Sequence, residues 1–87
     1  MLKIKITKQF KKDFKKYIHK DLTQLNMIIK ILSREQTLPA EYHDHQLSGK
    51  LKSTRDCHIE PDFILLYEKK NNELRLIRLG THSDLFK

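Results

Sequence analysis

Residues 51–79 read LKSTRDCHIEPDFILLYEKKNNELRLIRL, and the spacing of their apolar side chains decides the fold. From Leu51 the period is two. Leu51, Ser53, Arg55, Cys57 and Ile59 share one face, and Lys52, Thr54, Asp56, His58 and Glu60 share the other, as in a strand with one buried side. Pro61-Asp62 is a turn signal. Phe63-Ile-Leu-Leu-Tyr67 is a continuous apolar run, the pattern of a central strand. Lys69-Lys-Asn-Asn72 is a second, hairpin-type turn, and Leu74–Leu79 alternates again as the third strand of a meander. Gly80 breaks that strand, and Thr81–Phe86 follow it.

Upstream, Leu2, Ile4 and Ile6 alternate with Lys3, Lys5 and Thr7, the period of a half-buried strand. Thr7 suits a helix N-cap. Phe10, Phe14, Tyr17 and Ile18 follow at helical spacing, with lysines on the opposite side. This aromatic stripe reads as core packing rather than a base-stacking platform. Asp21-Leu-Thr-Gln24 resembles a capping box, and Leu22, Leu25, Ile28, Ile29 and Leu32 carry an apolar face to about Ser33. The two helices are joined tightly enough to form a hairpin, which Leu38-Pro39 ends. Residues 37–50 have no clear period and read as a loop, with Gly49 suited to a turn into the next strand. The expected architecture is α+β: an N-terminal strand, a two-helix hairpin and an antiparallel three-stranded meander. Helices cover one face of the sheet and leave the other for a ligand.

The bulk properties narrow the function. A chain of 87 residues predicts one domain over 1–87, because so short a chain cannot support two separate cores. The net charge of +7 favours a polyanionic partner: RNA, DNA, an acidic protein or an anionic membrane. Residues 1–20 hold eight lysines against one acid, Asp13. The single Cys57 excludes an internal disulfide and fits a reducing compartment. No apolar run approaches the ~20 residues of a membrane helix, and the N-terminus lacks the continuous apolar stretch of a signal peptide. A cytoplasmic protein is the expectation.

Polar chemistry gathers in RDCHIEPD (55–62) and RLGTHSDLF (78–86). If the first hairpin turns about Pro61, His58 lies opposite Ile64. If the second turns between Asn71 and Asn72, residue 64 lies nearly opposite Arg78 or Leu79. His58 and Arg78 then flank the middle strand about 10 Å apart, a gap two long side chains can close over one phosphate. Histidine suits both proton-transfer roles near neutral pH, and arginine's planar fork holds two phosphate oxygens. No serine or cysteine nucleophile stands beside a base. That set suits RNA cleavage, in which the substrate supplies its own 2′-OH nucleophile and no metal or other cofactor is needed. Cys57 falls on the buried alternation face and reads as core. His43-Asp44-His45 with His58 and His82 could assemble a zinc site, although their spacing matches no standard zinc pattern.

The runs Asp44-His45-Gln-Leu-Ser-Gly49, Arg55-Asp-Cys-His58-Ile-Glu-Pro-Asp62, Tyr67 and Arg78-Leu-Gly-Thr-His82-Ser-Asp-Leu-Phe86 together resemble the YafQ branch of the RelE/ParE toxin superfamily. The resemblance is dense over Leu38–Phe86 and rests on layout before that. It implies a RelE-like fold and a type II toxin: a ribosome-dependent, metal-independent endoribonuclease that cuts mRNA in the 30S A site by 2′-OH attack. It further implies His82 as general acid and Arg78 as the phosphate's stabiliser. His45, His58 and Asp62 would complete the proton-transfer and positioning set, with the base open among them. Phe86, Phe63 and Arg55 would bind substrate. Where the family's best-known member carries Trp after the motif Asp, this chain has Phe63, which keeps a stacking surface and loses an indole donor. The implied partners are a cognate antitoxin that wraps the basic toxin and operator DNA reached only through the antitoxin complex, with no membrane. Alternatives from other classes are a non-catalytic binding module (a co-repressor or a gyrase-directed relative) and a metal-dependent nuclease. The trio His45, His58 and His82 favours cleavage, since gyrase-directed relatives lack it.

Overall fold

A computed structural model describes residues 1–47 and 53–86. Strand β1 (Lys3–Ile6) leads into α1 (Lys8–Lys16) and α2 (Thr23–Ser33), and a 3-10 turn (Ala40–Tyr42) follows. Then come β2 (His45–Gln46), β3 (Arg55–Glu60), β4 (Phe63–Lys70), β5 (Glu73–Gly80) and the one-turn helix α3 (His82–Leu85). The five strands are ordered β1-β5-β4-β3-β2. Neighbours run antiparallel except β1, which lies parallel to β5.

The expected meander is present, with β4 at the centre and Phe63–Tyr67 buried throughout. Asn71 and Asn72 make the second turn with φ of 53° and 63°. Two positive-φ residues match the twist of a two-residue hairpin, and Asn tolerates them better than most residues. Thr7 caps α1 as expected, its hydroxyl accepting from the Phe10 N–H at 2.9 Å.

Phe10 of α1 and Leu25, Ile28 and Leu32 of α2 pack over Cys57, Leu65, Tyr67, Leu74, Leu76 and Leu79 to form the core. The opposite face carries two cross-strand rows. His45, Asp56, Leu66 and Arg78 align across four strands, and His58, Ile64 and Gly80 align beside them. The site residues therefore stand back to back with the core.

Several expectations need correction. β1 is a strand, yet Ile4 and Ile6 are exposed and only Leu2 is buried, because β1 is the sheet's outer edge and nothing packs beyond it. Asp21 does not form a capping box. Its carboxylate accepts from the N–H and hydroxyl of Thr23 at 3.0 and 2.6 Å, and Leu22 is the N-cap without a side-chain bond. α2 stops at Ser33 where the apolar period stops, with Glu35 turning the chain at φ 58°; Leu38 is buried and Pro39 ends nothing helical. The loop contains β2, too short to show a period. β3 begins at Arg55, and the Gly49 turn and Leu51 fall outside the described residues. Asp56 is on the outward face but only 4% exposed.

The second hairpin departs in register. Tyr67 pairs with Leu76 but Leu66 pairs with Arg78, so Ile77 is an extra residue in β5. Such a bulge shifts everything beyond it by one position. Hence Ile64 faces Gly80, and Arg78 faces Leu66. His58 lies opposite Ile64 as expected.

Candidate active site

Four of the five histidines gather at one end of the open face. His58, on β3, is the hub: its ring centroid lies 5.8 Å from that of His43, 6.3 Å from His45 and 5.4 Å from His82. His43 sits just past the 3-10 turn in the left-handed region, φ 47°, a conformation found sparingly in non-glycine residues and often at functional positions. A cleft of about 730 Å³ opens beside this cluster, lined in part by Glu41, Tyr42, His43, His45, His58 and Glu60.

Two histidine–carboxylate pairs flank the hub. Asp62, in the β3–β4 turn, accepts from both the backbone N–H (2.8 Å) and Nδ1 (2.7 Å) of His82. Nδ1 thus carries the proton in the neutral ring, and Nε2 is left for chemistry. The backbone N–H, with the ring, holds the Asp62 carboxyl below its ordinary pKa. On the other flank, His45 Nδ1 lies 2.8 Å from the His43 carbonyl. Its Nε2 lies 3.0 Å from Asp56 Oδ1, and His58 Nε2 lies 3.7 Å from Asp56 Oδ2. The His45 contact is close but poorly aligned, and among the described residues the buried Oδ1 is without a hydrogen-bond donor. An imidazolium at His45 could donate to the carbonyl and toward Asp56 at once, whereas a neutral ring has one N–H to give.

α3 presents His82. Thr81 and Asp84 form a capping box: the Asp84 N–H donates to Thr81 Oγ1 at 3.2 Å, and the Thr81 N–H donates to Asp84 Oδ2 at 3.2 Å. The Phe86 ring lies 6.2 Å from that of His82, and the residue is 42% exposed.

The remaining candidates divide. Arg78 points its Nε and Nη2 at the two oxygens of Asp13, at 3.0 and 3.1 Å. Asp13 Oδ2 also accepts from the Leu79 N–H at 3.0 Å. Burial pulls the Asp13 pKa up, but these donors outweigh it and the carboxyl lies below its usual range. Arg78 thus shares the site's face by register while its fork is engaged; Nη1 is not part of that clamp. Arg55 Nε donates to Asp44 at 3.2 Å, and Tyr67 Oη donates to the same oxygen at 2.5 Å. By strand alternation Arg55 belongs to the helix-covered face, opposite His58. Phe63 is only 2% exposed and packs against Tyr17 with ring centroids 5.0 Å apart, which makes it a core residue and not an open stacking surface. Cys57 is fully buried, and burial first, then the Asp44 and Asp56 carboxylates, pushes its thiol up to about 12, which suits core packing rather than nucleophilic attack.

Sequence reasoning passed over Asp84, Tyr17 and the buried carboxylate of Asp56. For Asp84 a signal existed, the Thr81-x-x-Asp84 capping spacing. Among the described residues, no group of three or more His, Cys, Asp or Glu side chains is arranged to hold a metal ion, and no helix is long and apolar enough to cross a membrane.

The fold as a whole is that of solved bacterial toxins. A bacterial E. coli toxin structure, in the DinJ–YafQ complex, superposes with a TM-score of 0.90 at 40% identity over all of both chains. A copper-bound mutant toxin from Helicobacter pylori superposes with a TM-score of 0.96 at 45% identity, over 99% of this chain and all of that one. The model of the family described as bacterial toxin of type II toxin–antitoxin system, YafQ, matches residues 2–87, and the chain belongs to that family. The mRNA interferase toxin YafQ of E. coli K12 is 42% identical over 86 residues, 95% of this chain and 94% of its own.

Proposed function

We propose that this toxin is an endoribonuclease that cuts mRNA on the ribosome, in the 30S A site, without a metal. The observation that carries the reading is the His82–Asp62 pair at 2.7 Å with His58 edge-on beside it at 5.4 Å. In the reaction the RNA 2′-OH loses a proton and attacks the adjacent phosphorus. The 5′ oxygen leaves with a proton, and a cyclic phosphate remains. His82 acts as the imidazolium: Asp62 holds Nδ1–H, Nε2–H gives its proton to the leaving oxygen, and the neutral Nδ1–H ring remains. His58 or His45 takes the 2′ proton. Asp62 already accepts two bonds from His82, which supports a positioning role over that of base. Nη1 of Arg78 is the group left to meet phosphate charge, and Phe86 shapes the base's seat.

An mRNA interferase at 42% identity supports the substrate class. The E. coli relative was crystallised in a DinJ–YafQ toxin–antitoxin complex, which supports a protein antitoxin as this chain's partner. The excess positive charge of +7 suits both rRNA and an acidic antitoxin segment. Operator DNA is reached through that complex, and such a toxin works in the cytoplasm. A mutant of the Helicobacter relative bound copper in its crystal, whereas among the described residues here no group of three or more His, Cys, Asp or Glu side chains could hold a metal ion.

The test is cleavage of ribosome-bound mRNA, in the Mg²⁺ buffer that ribosomes need, by wild type and His82→Ala that were stripped of bound metal with EDTA and then freed of the chelator. Wild type cuts; His82→Ala loses roughly a thousandfold with unchanged circular dichroism. Full activity in His82→Ala would falsify the assignment, and activity lost on stripping the toxin and restored by zinc would replace it with metal-assisted hydrolysis.

A further inference from the structure

α3 is a single helical turn of four residues, and one turn does not sustain itself in water. Yet it carries His82 at its start and leads into Phe86. Its internal capping box ties Thr81 to Asp84 but does not fix the turn relative to the sheet. Besides the two bonds from His82 to Asp62, fixing contacts come from the end of α1. The Tyr17 hydroxyl donates to Asp84 Oδ2, and Lys16 Nζ donates to Oδ1 at 3.1 Å. The Lys16 amine is well exposed, so its share is small.

Tyr17 is itself held. Its ring packs on buried Phe63, the residue directly after Asp62. Asp62 grips His82 from one side, and Tyr17, seated on the next residue of the chain, grips α3 from the other. Gly80 supplies the remaining condition: a Cβ there would stand 2.9 Å from Asp84 Oδ2 and 3.0 Å from Asp84 Cβ, closer than real Cβ atoms stand. Burial and the adjacent carboxylate raise the Tyr17 pKa, so the hydroxyl keeps its proton and remains a donor. The hydroxyl, the Thr81 N–H and the Lys16 amine hold Asp84 well below the usual carboxylate range, so it remains an acceptor.

We propose that Tyr17 and Asp84 are positioning residues, a clamp between α1 and α3 that sets the His82 ring against His58, with Gly80 making room for the carboxylate. The inference rests on the nuclease reading for its catalytic consequence but not for its geometry. It also assigns the end of α1 a part in the site.

The experiment uses the full chain carrying Tyr17→Phe, Asp84→Asn, or both. Tyr17→Phe keeps the ring on Phe63 and removes one hydroxyl, so it tests the clamp even if Asp84→Asn folds poorly. Two readouts are taken: kcat and KM for ribosome-bound mRNA, and the imidazole ¹⁵N resonances of His82. Each single variant is expected to lower kcat about tenfold, with KM changed by less than about twofold, because misplacing a reacting group costs rate more than binding. Each shifts the His82 resonances, and the double variant is no worse than the worse single. Unchanged resonances in Tyr17→Phe overturn the clamp, as do losses that multiply in the double variant. If wild type does not cut RNA at all, the nuclease reading fails, and the His82 resonances alone still decide the clamp.

Discussion

Asp62 sits on a hairpin turn with its side chain 65% exposed, and Asp56 sits in mid-strand with its side chain 5% exposed. Each faces a histidine ring nitrogen, His82 in the first case and His45 in the second. The exposed carboxylate takes two well-formed hydrogen bonds from one residue and fixes that residue's tautomer. The buried one lies between two rings at 3.0 and 3.7 Å and still has an oxygen without a donor. Burial raises the cost of an unpaired charge, so Asp56 is the less well compensated of the two carboxylates. One site thus contains a settled pair and an unsettled pair with His58 between them, a division of environments suited to separating acid from base.

Asp62→Asn probes the settled pair and has the largest expected effect. It keeps the shape but offers a weaker, uncharged acceptor to Nδ1, and cleavage should drop by roughly 10- to 100-fold as ring orientation and tautomer loosen. A single-turnover rate equal to wild type would break the comparison, because His82 would then need no carboxylate. Asp56→Asn probes the unsettled pair. It removes a buried charge whose oxygen has no donor, so urea unfolding should move by no more than about 1 kcal/mol. A loss of several kcal/mol would mean that the Asp56 charge is well compensated and the two pairs are alike. The smallest effect is on acid stability. The folded Asp62 carboxyl lies below its unfolded value of roughly 3.9, so its contribution is present above about pH 4 and fades as pH falls through the folded pKa. Because the pair is exposed, Asp62→Asn should flatten the low-pH end of the stability curve only slightly; a steeper acid loss in Asp62→Asn than in wild type would reverse the sign.

Much of the fold was legible because its signals are local. Period-two alternation marked β3 and β5, the apolar run 63–67 marked the centre, and Asn71-Asn72 marked the hairpin. The pairing of β1 with β5 was not legible, since parallel partners lie far apart in sequence and leave no turn signal. β2 was hidden by having two residues. At the site, His58, Asp62 and His82 stood out as clustered polar residues beside strand patterns, whereas His45 and Phe86 entered the cleavage set only through the family resemblance. Arg78 was read as free because its partner, Asp13, lies 65 positions away on α1. Phe63 was read as a stacking surface because it follows the motif aspartate, but the demands of a central strand won. The depth of Asp56 depended on β2, which the sequence concealed.

The extra residue Ile77 acts as a change of phase in β5. Before it, Leu74 and Leu76 keep step with the core. After it, the beat is inverted: Leu79 is buried, while Arg78 and Gly80 fall in line with Leu66 and Ile64. Were Ile77 paired in step instead of bulged, strict alternation would turn Arg78 toward the helices and Leu79 toward water. The bulge therefore lets the two halves of β5 answer to separate constraints, one to packing and the other to the uncovered face.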